Sequence, residues 1–417
     1  NEAIVLNGIG LVYQDLGKPT KALSNFQDAL LIAKDERQRD AILNNIGSLY
    51  SETGEYTKAL KFLNEALVIS QQLGNSAKAA SNINNIGVIY RNLGQYSKAE
   101  NHFRDALNLW RKAGCRAEEG TAIHNLGGVY DQQGLYSQAL ECYQQALSIY
   151  REIGDCNSEG NTLNSLGATY HSLGELHQAI EHYDDALNIY KEVNHLPRQA
   201  TTLNNLAHLY FLLGNDSESL LLYQDALVIA SKVGDRHTEG SILGNIGLIH
   251  SRHEEFLKAL EYHQQSFMLQ QSIGDLPGQG NSLSNLGDVY FNLNDFSKAQ
   301  DCYQRALKIH RDVGDQRGEG FSLMSFGEMY EHQQKYSEAI KYYQQALKIR
   351  KALGNRSDEV QTLEILGKIS MKLEKYSEAK EFYQQALEIV RVFDNQALFM
   401  SLINSINEIN NLSNPES

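Results

Sequence analysis

The side chains with the clearest repeated chemistry in this sequence are asparagine amides. They recur at intervals of forty residues, often beside a second polar residue. An amide offers N–H donors and a carbonyl acceptor, which complement the two polar groups of a peptide bond. Evenly spaced amides can therefore hold an extended peptide backbone without reading its side chains. The predicted peptide-binding column comprises Asn45, Asn85, Asn125, Asn205, Asn245 and Asn285, with Asn84, Asn164 and Asn204 in the adjacent column.

Other side chains near these asparagines would give such a surface its specificity. A further column at forty-residue spacing contains Arg91, Phe211 and Phe291, and Met324 is in the column of Asn84. Cations, aromatic rings and flexible apolar side chains are typical anchors for bound peptides. We therefore predict that Arg91, Phe211, Phe291 and Met324 take part in peptide binding.

The sequence contains no combination of residues that predicts catalysis. It has no G-x-x-x-x-G-K-[ST], no G-x-S-x-G and no H-E-x-x-H, and its glycines are periodic. Recurrent carboxylates such as Glu159 and Glu239 fall near predicted helix starts, where the helix dipole favours them. We expect a protein that is not an enzyme and that uses no cofactor.

Three histidines in one repeat raise the alternative of a metal site. His250 and His253 are three residues apart, and His263 belongs to the next predicted helix. However, no carboxylate or cysteine completes an obvious ligand set, and histidine can replace a half-buried tyrosine while keeping a polar tip. We therefore favour a structural role for these histidines and predict no metal.

The composition disfavours several classes of partner. A net charge of −14 at pH 7 is poorly suited to a nucleic-acid backbone or an anionic membrane surface. No apolar run approaches membrane-spanning length, and the first residues lack a signal-peptide pattern. The four cysteines have no zinc-ribbon or C-x-x-C spacing. We expect a cytoplasmic protein whose partner is a protein, a peptide or another domain of the same parent chain.

The elements that position these residues form a repeat of forty residues. In rows of forty, glycine recurs from Gly47 to Gly367, with Ala207 as the only substitution in that column. A first repeat three residues shorter precedes this register. We predict one array over 1–411, followed by a tail at 412–417. Its parts are repeats 6–42, 43–82, 83–122, 123–162, 163–202, 203–242, 243–282, 283–322, 323–362 and 363–402, and a capping helix at 403–411.

Within each repeat the apolar residues have a helical period. Ile83, Ile86 and Tyr90 follow the i, i+3, i+7 spacing of one helix face, and the same spacing recurs in the following segment. Glycines such as Gly114 can adopt the left-handed conformation that ends a helix, and aspartates such as Asp155 are good N-caps. Each repeat is therefore predicted to contain two helices of roughly 16 to 18 residues.

These repeats resemble tetratricopeptide repeats over about residues 1–410. The resemblance rests on the set Leu43, Ile46, Gly47, Tyr50, Tyr56, Ala59, Leu63, Ala66 and Leu67 and its equivalents. A period of forty instead of the usual 34 residues is similar to that of the Pins/LGN adaptor family and of kinesin light chains. The resemblance implies an all-α solenoid, a right-handed superhelix of about ten helix-turn-helix repeats with the first helices on its concave side. In some such proteins an asparagine ladder at this position holds a peptide main chain.

Alternatives remain open for the asparagines and for the function. Asparagines of adjacent repeats can hydrogen-bond one another and set the stacking, and this role is compatible with ligand binding. The main functional prediction is a scaffold whose groove binds an extended or helical segment of a partner. The alternative is the sensor or regulatory arm of a larger bacterial ATPase, protease or signalling protein, from which this piece was cut.

Overall fold

The repeat pattern produces pairs of α-helices. The computed structural model describes residues 2–391 and 396–413, and within these ranges all regular secondary structure is helical. The first helices of successive repeats are α1 (Glu2–Asp15), α3 (Glu36–Glu52), α5 (Ser76–Asn92), α7 (Arg116–Gln132), α9 (Cys156–Ser172), α11 (Leu196–Leu212), α13 (Arg236–Arg252), α15 (Leu276–Asn292), α17 (Gln316–His332) and α19 (Arg356–Lys372). The predicted all-α solenoid is confirmed.

The second helix of each repeat follows after a short turn. These helices are α2 (Pro19–Ile32), α4 (Tyr56–Gln72), α6 (Tyr96–Ala113), α8 (Tyr136–Ile153), α10 (Leu176–Glu192), α12 (Asp216–Val233), α14 (Phe256–Ile273), α16 (Phe296–Val313), α18 (Tyr336–Leu353) and α20 (Tyr376–Val390). The first helices begin before the predicted repeat boundaries, since α3 starts at Glu36 and not at residue 43. From α3 to α19 the first helices start at intervals of forty residues, and the predicted repeat boundaries fall inside these helices.

The predicted helix ends are present. Gly114 closes α6 with a φ of 70°, in the left-handed region where glycine has no steric penalty. The Asp155 carboxylate accepts a hydrogen bond from the backbone N–H of Ser158 at 3.1 Å and so caps α9. Glu254 and Glu374 adopt a left-handed φ of 59° and 58° where other repeats have glycine. The left-handed conformation is unfavourable for glutamate, and the packing of the flanking helices offsets this cost in both turns.

A final helix, α21 (Gln396–Ser413), packs on α20 and buries Leu402 and Ile409. It includes the predicted capping segment 403–411 but begins earlier. Most of the predicted tail, residues 414–417, lies outside the described residues. No helix in the described ranges combines the length and the apolar character that crossing a bilayer requires.

The chain forms two compact units, Asn1–Leu209 and Tyr210–Ser417. Within each unit, the second helix of a repeat packs on the first helix of the next, as α4 does on α5 and α14 on α15. Successive first helices also contact each other, as α3 does with α5 and α15 with α17, whereas the described second helices make no comparable contact among themselves. The first helices are therefore closer together. We call the surface that they form within one compact unit the inner face.

The recurrent glycine lets the two helices of a repeat approach closely. A Cβ atom at Gly127 would lie 2.7 Å from the ring of Tyr143 on α8, and one at Gly87 would lie 2.8 Å from the ring of Phe103 on α6. Both rings are buried. The aromatic side chain of the second helix thus passes directly over the glycine of the first, and the glycine is required by this contact.

Candidate functional site

A chain of amide hydrogen bonds runs along the inner face of the amino-terminal compact unit. In each step, an asparagine donates to the amide oxygen of an asparagine in the preceding repeat. The bonds join Asn45 to Asn7 at 2.9 Å, Asn85 to Asn44 at 3.4 Å and Asn125 to Asn84 at 3.0 Å. We call these six residues the amide chain. It shows that asparagines of adjacent repeats do contact one another, as the structural alternative predicted.

A second set of hydrogen bonds joins polar side chains of one first helix to hydroxyl groups on the first helix of the next repeat. Asn164 accepts a hydrogen bond from the hydroxyl of Thr202 at 3.4 Å, and His124 Nδ1 lies 3.2 Å from the hydroxyl of Thr162. Ser284 and Ser322 make the equivalent contact at 3.3 Å in the carboxy-terminal compact unit. These contacts hold neighbouring first helices in register.

The amide chain leaves hydrogen-bonding capacity unused. Asn45, Asn85 and Asn125 are each partly exposed and each donates through Nδ2, and within the described part of the chain nothing donates to their Oδ1 atoms. Across the same described ranges, Asn205 and Asn285 make no side-chain hydrogen bond, and both are partly exposed. Three successive repeats therefore present an oriented acceptor on the inner face, whereas the Nδ2 of Asn85 also donates to the hydroxyl of Ser48 at 3.4 Å.

Arg91 extends from α5 toward α7. Its Nη1 lies 3.1 Å from the position that a Cβ atom on Gly128 would occupy, and the hydroxyl of Tyr143 lies 3.7 Å from the same position. Burial lowers the pKa of the Arg91 guanidinium. Burial and the charge of Arg91 lower the pKa of His124 to about 4, so this imidazole is neutral at physiological pH. Arg91 is the cation of this part of the inner face.

Each predicted apolar anchor is engaged by neighbouring side chains. The guanidinium of Arg252 lies 3.5 Å from the centroid of the Phe211 ring. Phe291 contacts the ring of His332 edge-on, with centroids 5.3 Å apart. Met324 is partly buried against the core, and the hydroxyl of Thr362 lies 3.8 Å from its Sδ. A ligand on these residues would meet a packed surface and not free side chains.

The remaining predicted asparagines occupy the expected helices. Asn204 and Asn205 lie on α11, and Asn245 lies on α13, all partly exposed. Asn205 belongs to the amino-terminal compact unit, whereas Asn245 and Asn285 belong to the carboxy-terminal one. Each of these residues is on a first helix, as the repeat phase predicted.

The carboxy-terminal compact unit has an acidic inner face. Tyr303 extends over Gly287, and its hydroxyl donates to Asp288 at 2.7 Å. Loss of hydration raises the pKa of the Asp288 carboxyl group to about 6, the hydrogen bond from Tyr303 opposes this rise, and the nearby charge of Glu328 adds to it. Burial also raises the pKa of Glu328. Protein atoms surround both carboxyl groups, although both residues are partly exposed to solvent.

The raised pKa of Asp288 predicts that the stability of the protein depends on pH. Because its pKa in the folded protein is raised, the folded state binds this proton more tightly than the unfolded state does. The stabilisation is complete below the ordinary pKa range of aspartate and is lost as the pH rises through about 6. We expect Asp288→Asn to be at least as stable as the wild type at pH 7 and to show a weaker fall in thermal midpoint between pH 4 and 7. An unaltered pH profile would contradict the assignment.

The three histidines of the metal alternative face different partners. His250 Nδ1 lies 2.6 Å from a carboxylate oxygen of Glu255, and His253 Nε2 lies 3.0 Å from one of Asp216. His263 is fully buried with neither nitrogen hydrogen-bonded, and burial lowers its pKa to about 4. In the residues that the structure describes, no group of three potential metal ligands comes together.

Asn82 and the second-helix tyrosines were not predicted as parts of the inner face. Asn82 is buried and donates to Asp40 at 2.9 Å and to Ser70 at 3.2 Å, and it accepts from Asn44 of the amide chain. One signal could have identified it, because the same column has the apolar residue Ile42 in the preceding repeat. The tyrosine hydroxyls gave no such signal, since their column also contains leucine and phenylalanine.

The sequence model described as tetratricopeptide repeat matches almost the whole chain. The matched segments overlap and cover residues 1–72, 38–112, 78–152, 118–192, 158–232, 198–272, 238–312 and 318–391. Comparison with curated protein sequences finds no match.

Several solved structures are similar in fold. The apo form of the quorum sensor NprR from B. thuringiensis is 17% identical, with 74% of this chain and 86% of that chain covered and a TM-score of 0.59. Aspartyl phosphate phosphatase F from Bacillus subtilis is 13% identical, with 84% and 94% covered and a TM-score of 0.58. A Rap protein complexed with Competence and Sporulation Factor is 13% identical, with 85% and 99% covered and a TM-score of 0.59. At these identities the similarity shows the fold alone.

Proposed function

Because the chain belongs to the tetratricopeptide repeat family, we propose that it is a non-catalytic scaffold that binds an extended or helical segment of a partner protein. The family match confirms the resemblance predicted from the sequence. The binding surface of this proposal is the inner face of the amino-terminal compact unit, with the amide chain at its centre. The complex of a Rap protein with Competence and Sporulation Factor supports ligand binding by an array of this fold.

The unused acceptors of the amide chain carry this proposal. Asn45, Asn85 and Asn125 each use Nδ2 within the protein, which fixes the orientation of the side-chain amide. The Oδ1 atoms then need no reorganisation to accept hydrogen bonds from peptide N–H groups, so less conformational entropy is lost on binding. The stacking role and the binding role of the asparagines thus support each other.

The proposal predicts that Asn45→Ala, Asn85→Ala and Asn125→Ala together weaken peptide binding. Three lost hydrogen bonds of about 0.5–1.5 kcal/mol each correspond to a loss of affinity of about tenfold or more. Linear peptides selected from a displayed random library on the wild-type protein serve as probes, and their dissociation constants are measured by fluorescence anisotropy. Unchanged affinity in the folded triple variant would refute the binding role.

A matched control uses three asparagines on second helices. Asn64, Asn101 and Asn108 are exposed on α4 and α6. Their joint replacement by alanine removes the same number of amides and should leave the affinity unchanged. Thermal unfolding of both variants shows whether binding was measured on folded protein.

We also propose a narrower alternative, in which the array is the sensor or regulatory arm of a larger bacterial ATPase, protease or signalling protein. The similarity in fold to a protein named as a quorum sensor supports it. In both proposals the protein acts in the cytoplasm on a protein or peptide ligand, without nucleic acid or membrane. Sequencing the natural gene around this segment separates the two, because only the second requires an additional catalytic or signalling domain.

A further inference from the structure

One second helix, α12, exposes a row of apolar side chains to solvent. Leu221 is 59% exposed, and Val228, two turns later, is 68% exposed. Every other second helix has a polar or charged residue at the position of Leu221, such as Glu141 on α8. Most also have one at the position of Val228, such as Asn108 on α6. A row of exposed apolar residues on one helix face is typical of a helix that packs against another helix.

Polar residues complete this row and form one stripe along α12. In the order of the chain, the α12 stripe consists of Glu218, Leu221, Gln224, Asp225, Val228 and Lys232. All of these residues are exposed, and at 3.6 residues per turn they fall within about 120° of the helix circumference. An acidic and a basic residue are at opposite ends, the two apolar residues lie next to them, and an amide and a carboxylate occupy the middle.

The α12 stripe is complementary to itself in an antiparallel arrangement. A two-fold axis through its middle brings each residue of one copy next to the residue at the opposite position in a second copy. The resulting pairs are Glu218 with Lys232, Leu221 with Val228 and Gln224 with Asp225. Opposite charges meet at both ends, apolar side chains meet between them, and the amide can donate to the carboxylate near the centre.

Both charged ends of the stripe are free for such a contact. Glu218 and Lys232 are exposed, and neither makes an ion pair or a side-chain hydrogen bond within the described part of the chain. A parallel arrangement of two copies would place the two Glu218 carboxylates side by side and the two Lys232 ammonium groups side by side, which is unfavourable. The charges therefore favour the antiparallel arrangement.

The next second helix, α14, extends the apolar surface beside the stripe. Leu257 is 75% exposed and Met268 is 65% exposed, and α14 belongs to the same compact unit as α12. All other second helices have a polar residue at the position of Leu257, such as Ser217 on α12 itself. Stable protein interfaces bury about 800 Å² on each partner. The apolar residues of α14 enlarge the surface that α12 offers toward that area.

We propose that the chain forms a two-fold symmetric dimer in which the α12 stripes of two copies pack antiparallel. The occupant of the stripe is thus a second copy of the same chain. This inference does not depend on the proposed peptide binding, because the stripe is on a second helix and the inner face is formed by first helices. A dimer would combine two copies of each inner face in one particle, so that a partner with two binding segments would gain avidity.

The apolar part of the contact is tested by sedimentation equilibrium of the wild type at concentrations up to about 100 µM, where we expect a reversible equilibrium between monomer and dimer. Leu221→Glu together with Val228→Asn introduces residues that other second helices carry at these positions, so the fold should be retained. We expect this double variant to raise the dissociation constant of the dimer by about a hundredfold or more. Val68→Asn on α4 is the matched control, since Val68 is 51% exposed at the position equivalent to Val228. It should leave the dissociation constant unchanged.

Charge reversal tests the antiparallel order. Glu218→Lys or Lys232→Glu alone places like charges together at both ends of the stripe and should weaken the dimer by about tenfold or more. Both substitutions in one chain restore opposite charges, so the dissociation constant should return close to that of the wild type. Weakening by the single substitutions without recovery in the combined variant would overturn the antiparallel arrangement.

Two further outcomes would overturn the dimer itself. A wild type that remains monomeric at the highest concentration would leave the stripe to a different protein. A dimer that persists in Leu221→Glu with Val228→Asn would use another surface. Circular dichroism and thermal unfolding show whether each variant is folded. The peptide affinity of the monomeric double variant should equal that of the wild type, so loss of dimerisation and loss of peptide binding are measured separately.

Discussion

Replacement of Gly127 by alanine is expected to destabilise the protein by about 1–3 kcal/mol, although alanine is the better helix former. The added methyl group would lie 2.7 Å from the ring of Tyr143, which is 4% exposed and surrounded by core residues. The ring cannot move away without disturbing the pair of helices α7 and α8. Chemical denaturation followed by circular dichroism measures this loss.

The same substitution at Gly8 is the matched control. Gly8 is inside α1, and apart from its two chain neighbours and the backbone of its own helix, no atom of the described residues lies within 4 Å of the position of its missing Cβ. There, alanine should stabilise the helix by roughly 0.5–1 kcal/mol, since it loses less backbone entropy on folding. Opposite signs for the two substitutions support the contact with Tyr143. A stable Gly127→Ala variant would mean that the helices separate easily, and the close packing would then not be a requirement of the fold.

Replacement of Asn82 by leucine is expected to cost about 3 kcal/mol at pH 7. Asn82 is 1% exposed and donates to Asp40, which is 3% exposed, while it also accepts from Asn44. Leucine preserves the volume but leaves a buried carboxyl group and an amide of the inner face without this partner. Denaturant unfolding measures the cost, and the peptide affinity of the variant shows whether the amide chain depends on Asn82.

The cost of Asn82→Leu should depend on pH. Burial raises the pKa of Asp40, and the hydrogen bond from Asn82 opposes this effect. In the variant the pKa of Asp40 rises further, so the penalty is largest above that pKa and shrinks as the pH falls toward the ordinary range of aspartate. Thr202→Val, at the equivalent position of a repeat without a buried aspartate, should cost less and show no such dependence. A penalty independent of pH would exclude the carboxyl group as its cause.

The fold could be predicted because the same pattern of packing residues recurs in successive repeats. The glycine column, the apolar period and the aspartate caps all recur at forty residues, and the structure confirms the helices that they predict. The reason for the glycine could not be predicted. It depends on how closely two helices approach, and this distance is set by the ring of Tyr143 in one repeat and by that of Phe103 in another.

The site could be predicted only as a set of residues on one surface. The sequence placed Asn45 and Asn85 on first helices, but the bonds that they make connect residues 38 and 41 positions apart. Each offset is one residue more than the length of the repeat that it crosses, 37 residues for the first repeat and 40 for the next, and periodicity within a repeat does not predict this extra residue. Arg91 was predicted as a candidate, yet its position beside Gly128 and the hydroxyl of Tyr143 depends on how α5 packs next to α7.

The tyrosines that cross the glycine column change how sequence variation in this protein should be interpreted. Tyr143 and Tyr303 belong to second helices, yet their hydroxyls reach the inner face beside Gly128 and Asp288. Exchange of tyrosine for phenylalanine at these positions keeps the core volume and removes one polar group from the opposite surface. If the inner face binds a ligand as proposed, a single nucleotide change in a second helix can alter the ligand-binding surface without altering any residue of the first helices.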